Sequence, residues 1–383
     1  MSSRFDRPVL GRRSFQHVGL GPQVVLPSGH SLLVVGPTQV GKTSGIVVPA
    51  ILRWCGPLVV TSVKRDVVEL TERWRSAQGP VVQVEPGREH GATWDPLEMI
   101  NSYHDALGLA RDLVIGDRAR ASSESEFWNA LAVKVLAAMA LRTRERGEDV
   151  FDLLADVERR EGFDDLRPTS DSDANRTLHS LATHEARTAD AVMTTVEAML
   201  IPWQRRQPIT RLAGVLESGT VYLVAPRHDQ RRYEGVFRGV LQSLVAEQHR
   251  RVDAGTASEV LFVLDEAAAV APLDDLDQLA ATGRGLGITL LTVFQDFAQI
   301  EGRWGERAAT IVNNHASRVV LGGLVDPRIV TYLPELAAKD DKSPPMRTWP
   351  AGSAAVISGR RPVIRTRLRP WWRQRALRRR VNG

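Results

Sequence analysis

"GPTQVGKT", residues 36–43, directly follows the apolar run Leu32-Leu33-Val34-Val35. Glycine, four residues, then Gly-Lys-Thr is the pattern of a phosphate-binding loop. The glycines let the backbone curl until its N–H groups point inward at a polyphosphate. A helix starting near Lys42 adds partial positive charge. Gly36, Pro37, Thr38, Gln39, Val40 and Gly41 are therefore expected to cradle the nucleotide phosphates. Lys42 is expected to reach the β- and γ-phosphates, and Thr43 to ligate Mg²⁺, which makes ATP and Mg²⁺ the implied cofactors. The helix is expected from Thr43 to Leu52, with Pro49 shortening or kinking it. Lysine is scarce in this chain, five against forty-five arginines, yet one stands where the loop requires it.

Outward from the loop, Pro57–Thr61 (PLVVT) and Pro80–Val84 (PVVQV) read as strands, and Asp66–Ser76 reads as a helix. Strand and helix alternating around a phosphate loop predict an α/β core with a mostly parallel sheet and helices on both faces. The texture changes after "WDPLEMI" (Trp94–Ile100). Phe127, Leu131, Val135, Leu136 and Met139 recur at helical spacing, as do Phe151, Leu154 and Val157, then Ala189, Val192, Val196 and Met199. Strand signals return at Val221–Val224, Val260–Leu264, Ile288–Val293, Arg318–Leu321 and Ala354–Ile357. Asp340–Pro350, polar and proline-rich, reads as a loop. The expected domains are residues 1–102 and 206–358 as two parts of a nucleotide-binding domain, 103–205 as an all-α insertion, and 359–383 as a basic Arg/Trp tail.

"VLFVLDEA", residues 260–267, is an apolar strand ending in Asp265-Glu266. A carboxylate at the end of a buried strand holds Mg²⁺ directly or through water, and the role falls to Asp265. The adjacent Glu266 suits a general base that deprotonates water. Gln295 directly follows the strand Ile288–Val293. In a parallel sheet that puts its amide on the edge where ligands bind, to sense a γ-phosphate or hold the attacking water. Arg284, between glycines ahead of that strand, reads either as a surface arginine or as a finger reaching a neighbouring subunit's nucleotide.

Composition bounds the rest. Of 383 residues 43% are apolar, ordinary for a globular protein of two domains or of one core with an insertion. The single cysteine, Cys55, excludes a disulfide framework or cysteine cluster, fits a reducing compartment and reads as a small buried hydrophobe. The nine histidines show no metal-ligand spacing, and His179 and His184 read as surface residues. No stretch is long and apolar enough to span a membrane, and the first residues lack a signal-peptide core. Ten arginines and no acid lie between Gly359 and Gly383, so the formal charge of +5 becomes −5 for the rest of the chain. That tail, with Trp371 and Trp372, reads as a solvated basic end, a nucleic-acid contact or a contact to an acidic membrane surface. It holds no catalytic candidate, so its deletion is expected to spare the site.

Several stretches together carry a family resemblance: "GPTQVGKTSGIVVPAIL", "VVTSVKRDVVELT", "WDPLEMI", "FWNALAVKVLAAMAL" and "LFVLDEAAAVAPLDDLDQLAATGRGLGITLLTVFQD". The chain resembles the type IV coupling proteins of conjugation and secretion, the VirD4/TraG/TrwB-like group of the FtsK–HerA ATPases. The resemblance implies a RecA-like motor domain with an all-α insertion that helps recognise substrate. It implies a hexameric ring that threads DNA using ATP, and a relaxase–DNA substrate delivered to a secretion channel. It also gives Asp265-Glu266, Arg284 and Gln295 the family's order of Asp-Glu, Gly-Arg and strand-Gln, and favours the finger role for Arg284. Most members carry N-terminal transmembrane helices. Their absence here implies a cytoplasmic protein, or one peripheral at the inner face of the membrane and docked through a separate channel partner. Gln39-Val40 replaces the Gly-Ser of many members. The competing readings are an ATPase that remodels or delivers protein without threading DNA, and a nucleotide-switched regulator.

Overall fold

In a computed structural model the described residues are 8–15, 19–27, 29–89, 91–114, 123–160, 168–225, 230–270, 273–333, 346–359 and 361–383. Each expected domain has parts outside them: residues 1–7, 16–18, 28 and 90 of 1–102, residues 115–122 and 161–167 of 103–205, residues 226–229, 271–272 and 334–345 of 206–358, which take in 340–345 of the polar loop, and Arg360 of the tail.

The chain divides into two compact units. The first comprises residues 1–82, 214–227 and 247–383. Its strands in chain order are β1 (Val9–Phe15), β2 (Gly19–Val25), β3 (Leu32–Val35) and β4 (Leu58–Ser62). The chain crosses to the second unit within β5 (Val81–Val84), which forms one edge of the sheet. The second unit holds a small parallel pair, β6 (Thr93–Trp94) and β7 (Ile209–Thr210). Back in the first unit come β8 (Thr220–Val224), β9 (Val260–Leu264) and β10 (Ile288–Phe294). The last three are β11 (Ser317–Leu321), β12 (Ser353–Ser358) and β13 (Ile364–Arg367).

Eleven strands form one sheet in the order β2-β1-β13-β12-β11-β3-β10-β9-β4-β8-β5. From β11 to β8 it is parallel, and every residue of β3, β4, β8, β9 and β10 is buried. Helices cover both faces, which is why these strands read as unbroken apolar runs. The other end is antiparallel: β12 pairs with β11 and β13, and β1 pairs with β13 and β2. The sheet is therefore mixed.

The C-terminal segment is not a free tail. β13 lies inside the sheet, between β12 and β1. The helix Arg375–Asn382 then buries Leu377 against Val48 and Leu52, with Leu70, Trp74 and Trp371 packed around them. Arg380 stacks on Trp74 with its guanidinium 4.4 Å from the ring centre and donates to the Leu52 carbonyl. Arg53 donates to the Gln374 amide oxygen at 2.8 Å. The charge run disguised a strand and a half-buried helix whose apolar contacts are few and widely spaced. Deleting residues 360–383 would remove an interior strand, so the expectation that it spares the site does not hold.

The second unit comprises residues 83–213 and 228–246. Its long helix Ser123–Glu145 packs on Tyr103–Asp112, Ser172–Ala182 and Ala186–Met199. Asp149 and Asp152 cap Val150–Glu158 reciprocally, each side chain taking the other's backbone N–H. Phe127, at the start of the long helix, is 58% exposed, whereas Val135, Leu136 and Met139 are buried. A further helix, Gln230–Asp253, went unread, although Tyr233, Val236, Phe237, Val240, Leu241 and Leu244 hold an i, i+3, i+4, i+7 pattern and are all buried. Gly239 lets that helix approach Trp94, where a Cβ would lie 3.2 Å from the indole. Cys55, in the turn before β4, is exposed and not buried. Among the described residues no helix is long and apolar enough to cross a membrane.

Leu377 is 1% exposed. Leu377→Ala should cost about 2–5 kcal/mol of the first unit's stability, read as a lower urea midpoint.

Candidate functional site

β3 ends at Val35, and the chain turns at once. Gly36 donates its N–H to the Phe294 carbonyl at 3.2 Å, and a Cβ there would fall 2.7 Å from Leu321 on β11. Gln39 and Gly41 have φ of 63° and 96°. Gly41 adopts this left-handed region freely, and Gln39 does so at the position where many resembling sequences have glycine. The helix opens on a widened turn, Thr43–Val47, in which Val48 N–H reaches back to the Thr43 carbonyl. Regular α-helix runs only over Val48–Arg53. Pro49 explains the widening: it has no N–H to give, and its ring would clash with a normally placed carbonyl one turn back.

Lys42 Nζ lies folded over the loop and donates to the Pro37 carbonyl at 2.7 Å and to the Gly36 carbonyl. Burial lowers its pKa, and Asp265, Glu266 and Asp296 partly oppose that. An ammonium held on two carbonyls needs only a side-chain swing to meet a phosphate.

Asp265 follows β9 and is 6% exposed. Burial first, then Glu266 and Asp66, push its pKa up to about 7, while Lys42 pulls the other way. The next residue, Glu266, has φ 52°, a left-handed conformation that costs a non-glycine residue and recurs at functional sites. Gln295, the residue after β10, donates from Nε2 to Glu266 Oε1 at 3.3 Å. Its own N–H is taken by Gln299 Oε1 at 3.0 Å, and Gln299 N–H by Asp296 Oδ1 at 2.8 Å. Asp326 holds the next amide, Phe297 N–H, at 2.9 Å. The Gln295 turn is thus fastened on three sides.

The phosphate loop and Asp265-Glu266 line one cavity of about 640 Å³. Thr38, Gln39, Gly41, Lys42 and Thr43 form one wall, and Asp265 and Glu266 the other. Sequence reasoning missed a third contribution: Ser62 at the end of β4, Lys64 in the turn after it and Asp66 at the start of the next helix. They lie in the stretch "VVTSVKRDVVELT", yet no chemical pattern there gives them a role at the site; they matter because β4 lies next to β9. Gln299 had a signal, since Asp296-x-x-Gln299 is a capping-box pattern. The oxygen donors Thr43 and Asp265 line one cavity, and a hydroxyl with a carboxylate suits a small hard cation such as Mg²⁺, which takes its other ligands from phosphate and water.

Arg284 is placed elsewhere. It is exposed in the turn before β10, and its stem lies across Gly29, where a Cβ would sit 2.8 Å from Arg284 Nε. That is the amino end of β3 and β10, opposite the phosphate loop and about 20 Å away along the strands at roughly 3.3 Å per residue. Within one chain Arg284 does not meet the other candidates.

Fold and site together define a RecA-like P-loop protein. The chain belongs to the type IV secretory system conjugative DNA transfer family, whose model matches residues 8–201. A second model, the TraM recognition site of TraD and TraG, matches residues 259–348. The conjugal transfer protein TraG of Escherichia coli is 25% identical over 313 residues, 71% of this chain and 49% of that protein. Protein VirD4 of Rhizobium radiobacter is 24% identical over 331 residues, 79% of this chain and 47% of that protein. The chain thus spans about half the length of these curated relatives. The bacterial conjugative coupling protein TrwBdeltaN70, solved with sulphate, shares the fold with a TM-score of 0.66 and 17% identity, covering 96% of each chain. TrwB has also been solved with ADP and Mg²⁺, at TM-score 0.63 and 16% identity, covering 97% of this chain and 96% of that one.

Because the Asp265 carboxyl is raised above its unfolded value, the native chain keeps a proton that the unfolded chain has released between about pH 4 and pH 7. The charge penalty is absent below the unfolded pKa and complete above the folded one. Asp265→Asn should therefore stabilise the nucleotide-free protein in EDTA at pH 8, with the gain vanishing near pH 4. Urea unfolding at both pH values measures it.

Proposed function

We propose that this chain is the ATP-hydrolysing motor of a conjugative coupling protein that moves DNA, alone or joined to a relaxase, toward a type IV secretion channel. The observation that carries the hydrolytic half is the Gln295–Glu266 hydrogen bond beside the cavity of Lys42, Thr43 and Asp265. A carboxylate next to an amide is what positioning and deprotonating a water requires, and a plain nucleotide sensor has no need of it.

In this reading the backbone of residues 36–43 receives the phosphates, and Lys42 exchanges its two carbonyl bonds for the β- and γ-phosphates. Glu266 takes the proton of the attacking water while Gln295 holds it in line. Mg²⁺, carried by Thr43 and Asp265, would neutralise the phosphate oxygens, in keeping with the ADP and Mg²⁺ in the TrwB structure. Arg284 serves a neighbour's nucleotide, which accounts for its place at the opposite end of the strands and calls for a ring, six-membered by resemblance. The family's description and the relatives' names support DNA transfer in conjugation; a relaxase or other secretion substrate, and a membrane-channel partner at the inner membrane face, are our extension of that reading. To the helical unit, residues 103–205 at its centre, we assign substrate recognition.

Lys42→Ala should lose nucleotide binding. Glu266→Gln should bind ATP but turn it over about 10²–10⁴-fold more slowly; wild-type turnover in that variant would remove the base from Glu266. Arg284→Ala subunits should be inactive alone and regain hydrolysis when mixed with Lys42→Ala subunits. Verified mixed rings that stay inactive would make Arg284 a structural residue. Turnover that ignores added DNA would favour a protein-handling ATPase.

A further inference from the structure

The first unit carries a second concave site, of about 670 Å³. Among the described residues six arginines line it, Arg12, Arg367, Arg369, Arg373, Arg375 and Arg378, and none of the described lining residues is acidic. β1 contributes the first, β13 the second, and the turn and helix after β13 the rest. Among the described residues none of the six has a salt bridge, and Arg12 Nε is buried without a hydrogen-bond partner. Other arginines of the same segment are spent on packing, Arg365 on Trp349 and Arg380 on Trp74. Six like charges held around one hollow repel each other, and a polyanion seated there would offset that repulsion.

Trp372 shares the lining and is 46% exposed. Its ring is held edge-to-face by Trp371, with centroids 5.6 Å apart and planes at 86°. An indole so held beside guanidinium groups suits an unstacked base next to a phosphate backbone, the combination used on single strands. Duplex bases are already stacked on one another, and a hollow matches a bilayer surface poorly.

Resting on the motor reading above, we propose that this arginine hollow is a binding site for single-stranded nucleic acid, with the guanidinium groups on phosphates and Trp372 stacked on a base. The test is anisotropy of a fluorescein-labelled oligo-dT at several salt concentrations. Arg369, Arg373 and Arg378 are exposed, so their joint replacement by alanine should leave thermal unfolding and basal ATPase unchanged; glutamine versions serve if it does not. The triple variant should lower the log–log salt slope by about 2 and the affinity at 0.1 M salt by about 100-fold, at roughly 0.7 per single-strand contact. Trp372→Ala should weaken binding about tenfold with the slope unchanged, and Trp372→Phe should restore most of it. Equal affinity and slope in the triple variant would overturn the site and leave the motor reading standing. A wild-type protein that binds no DNA, with or without ATP, would bring down both. Loss of binding to phosphatidylglycerol vesicles, with oligo-dT binding unchanged, would assign the hollow to a membrane instead.

Discussion

The site exists because three neighbouring strands run the same way in one register. Leu32 on β3 faces Leu291 on β10, which faces Val263 on β9. The three strands finish at one edge, so the first residues beyond them, Gly36, Asp265 and Gln295, arrive together though far apart in sequence. Turn chemistry then does the rest: a glycine turn opens the amides, and a buried strand end strips water from Asp265. A left-handed Glu266 aims its carboxylate back at Gln295. The buried apolar ladder resists relaxation, which is how the sheet sustains a strained residue and a desolvated carboxylate in one place. A slip of one residue in β9 would reverse every side chain and send Asp265 away from the cavity.

The nucleotide loop is also braced from behind. Leu368, just past β13, packs against Gly45 in the widened turn, where a Cβ would stand 3.1 Å from it. Leu377 sits under Val48 and Leu52 of the same helix. The segment that supplies most of the arginine hollow is therefore the segment on which the phosphate loop rests.

Much of this was legible in the sequence, and the reasons differ by element. β3, β9 and β10 are buried on both faces and stood out as apolar runs, and the helix Asp66–Ser76 was read to its ends. The phosphate loop and Asp265-Glu266 have local signatures. What was not legible depends on who neighbours whom. β13 has only four residues, two of them arginine, and becomes a strand because β1 and β12 lie on either side. The turn after β4 enters the cavity only through strand order. Arg284 read either as a surface arginine or as a finger for a neighbour's nucleotide, and sequence could not say which end of the sheet it occupies; a seven-residue strand separates it from Gln295. Composition alone made residues 359–383 a tail, since their charge hid Leu368 and Leu377.

The placing of β13 governs the order of events when the chain is made. The Thr366 hydroxyl donates to the Leu10 carbonyl, across 356 residues of sequence. β1 and β2 are synthesised long before β13, so the inner edge of that pair has no partner until the intervening chain has been translated. Such long-range closure is slow, and an unpaired edge invites association with other nascent chains. Until β13 arrives the edge of β1 stands open, the kind of exposed strand that natural proteins guard against pairing with other chains.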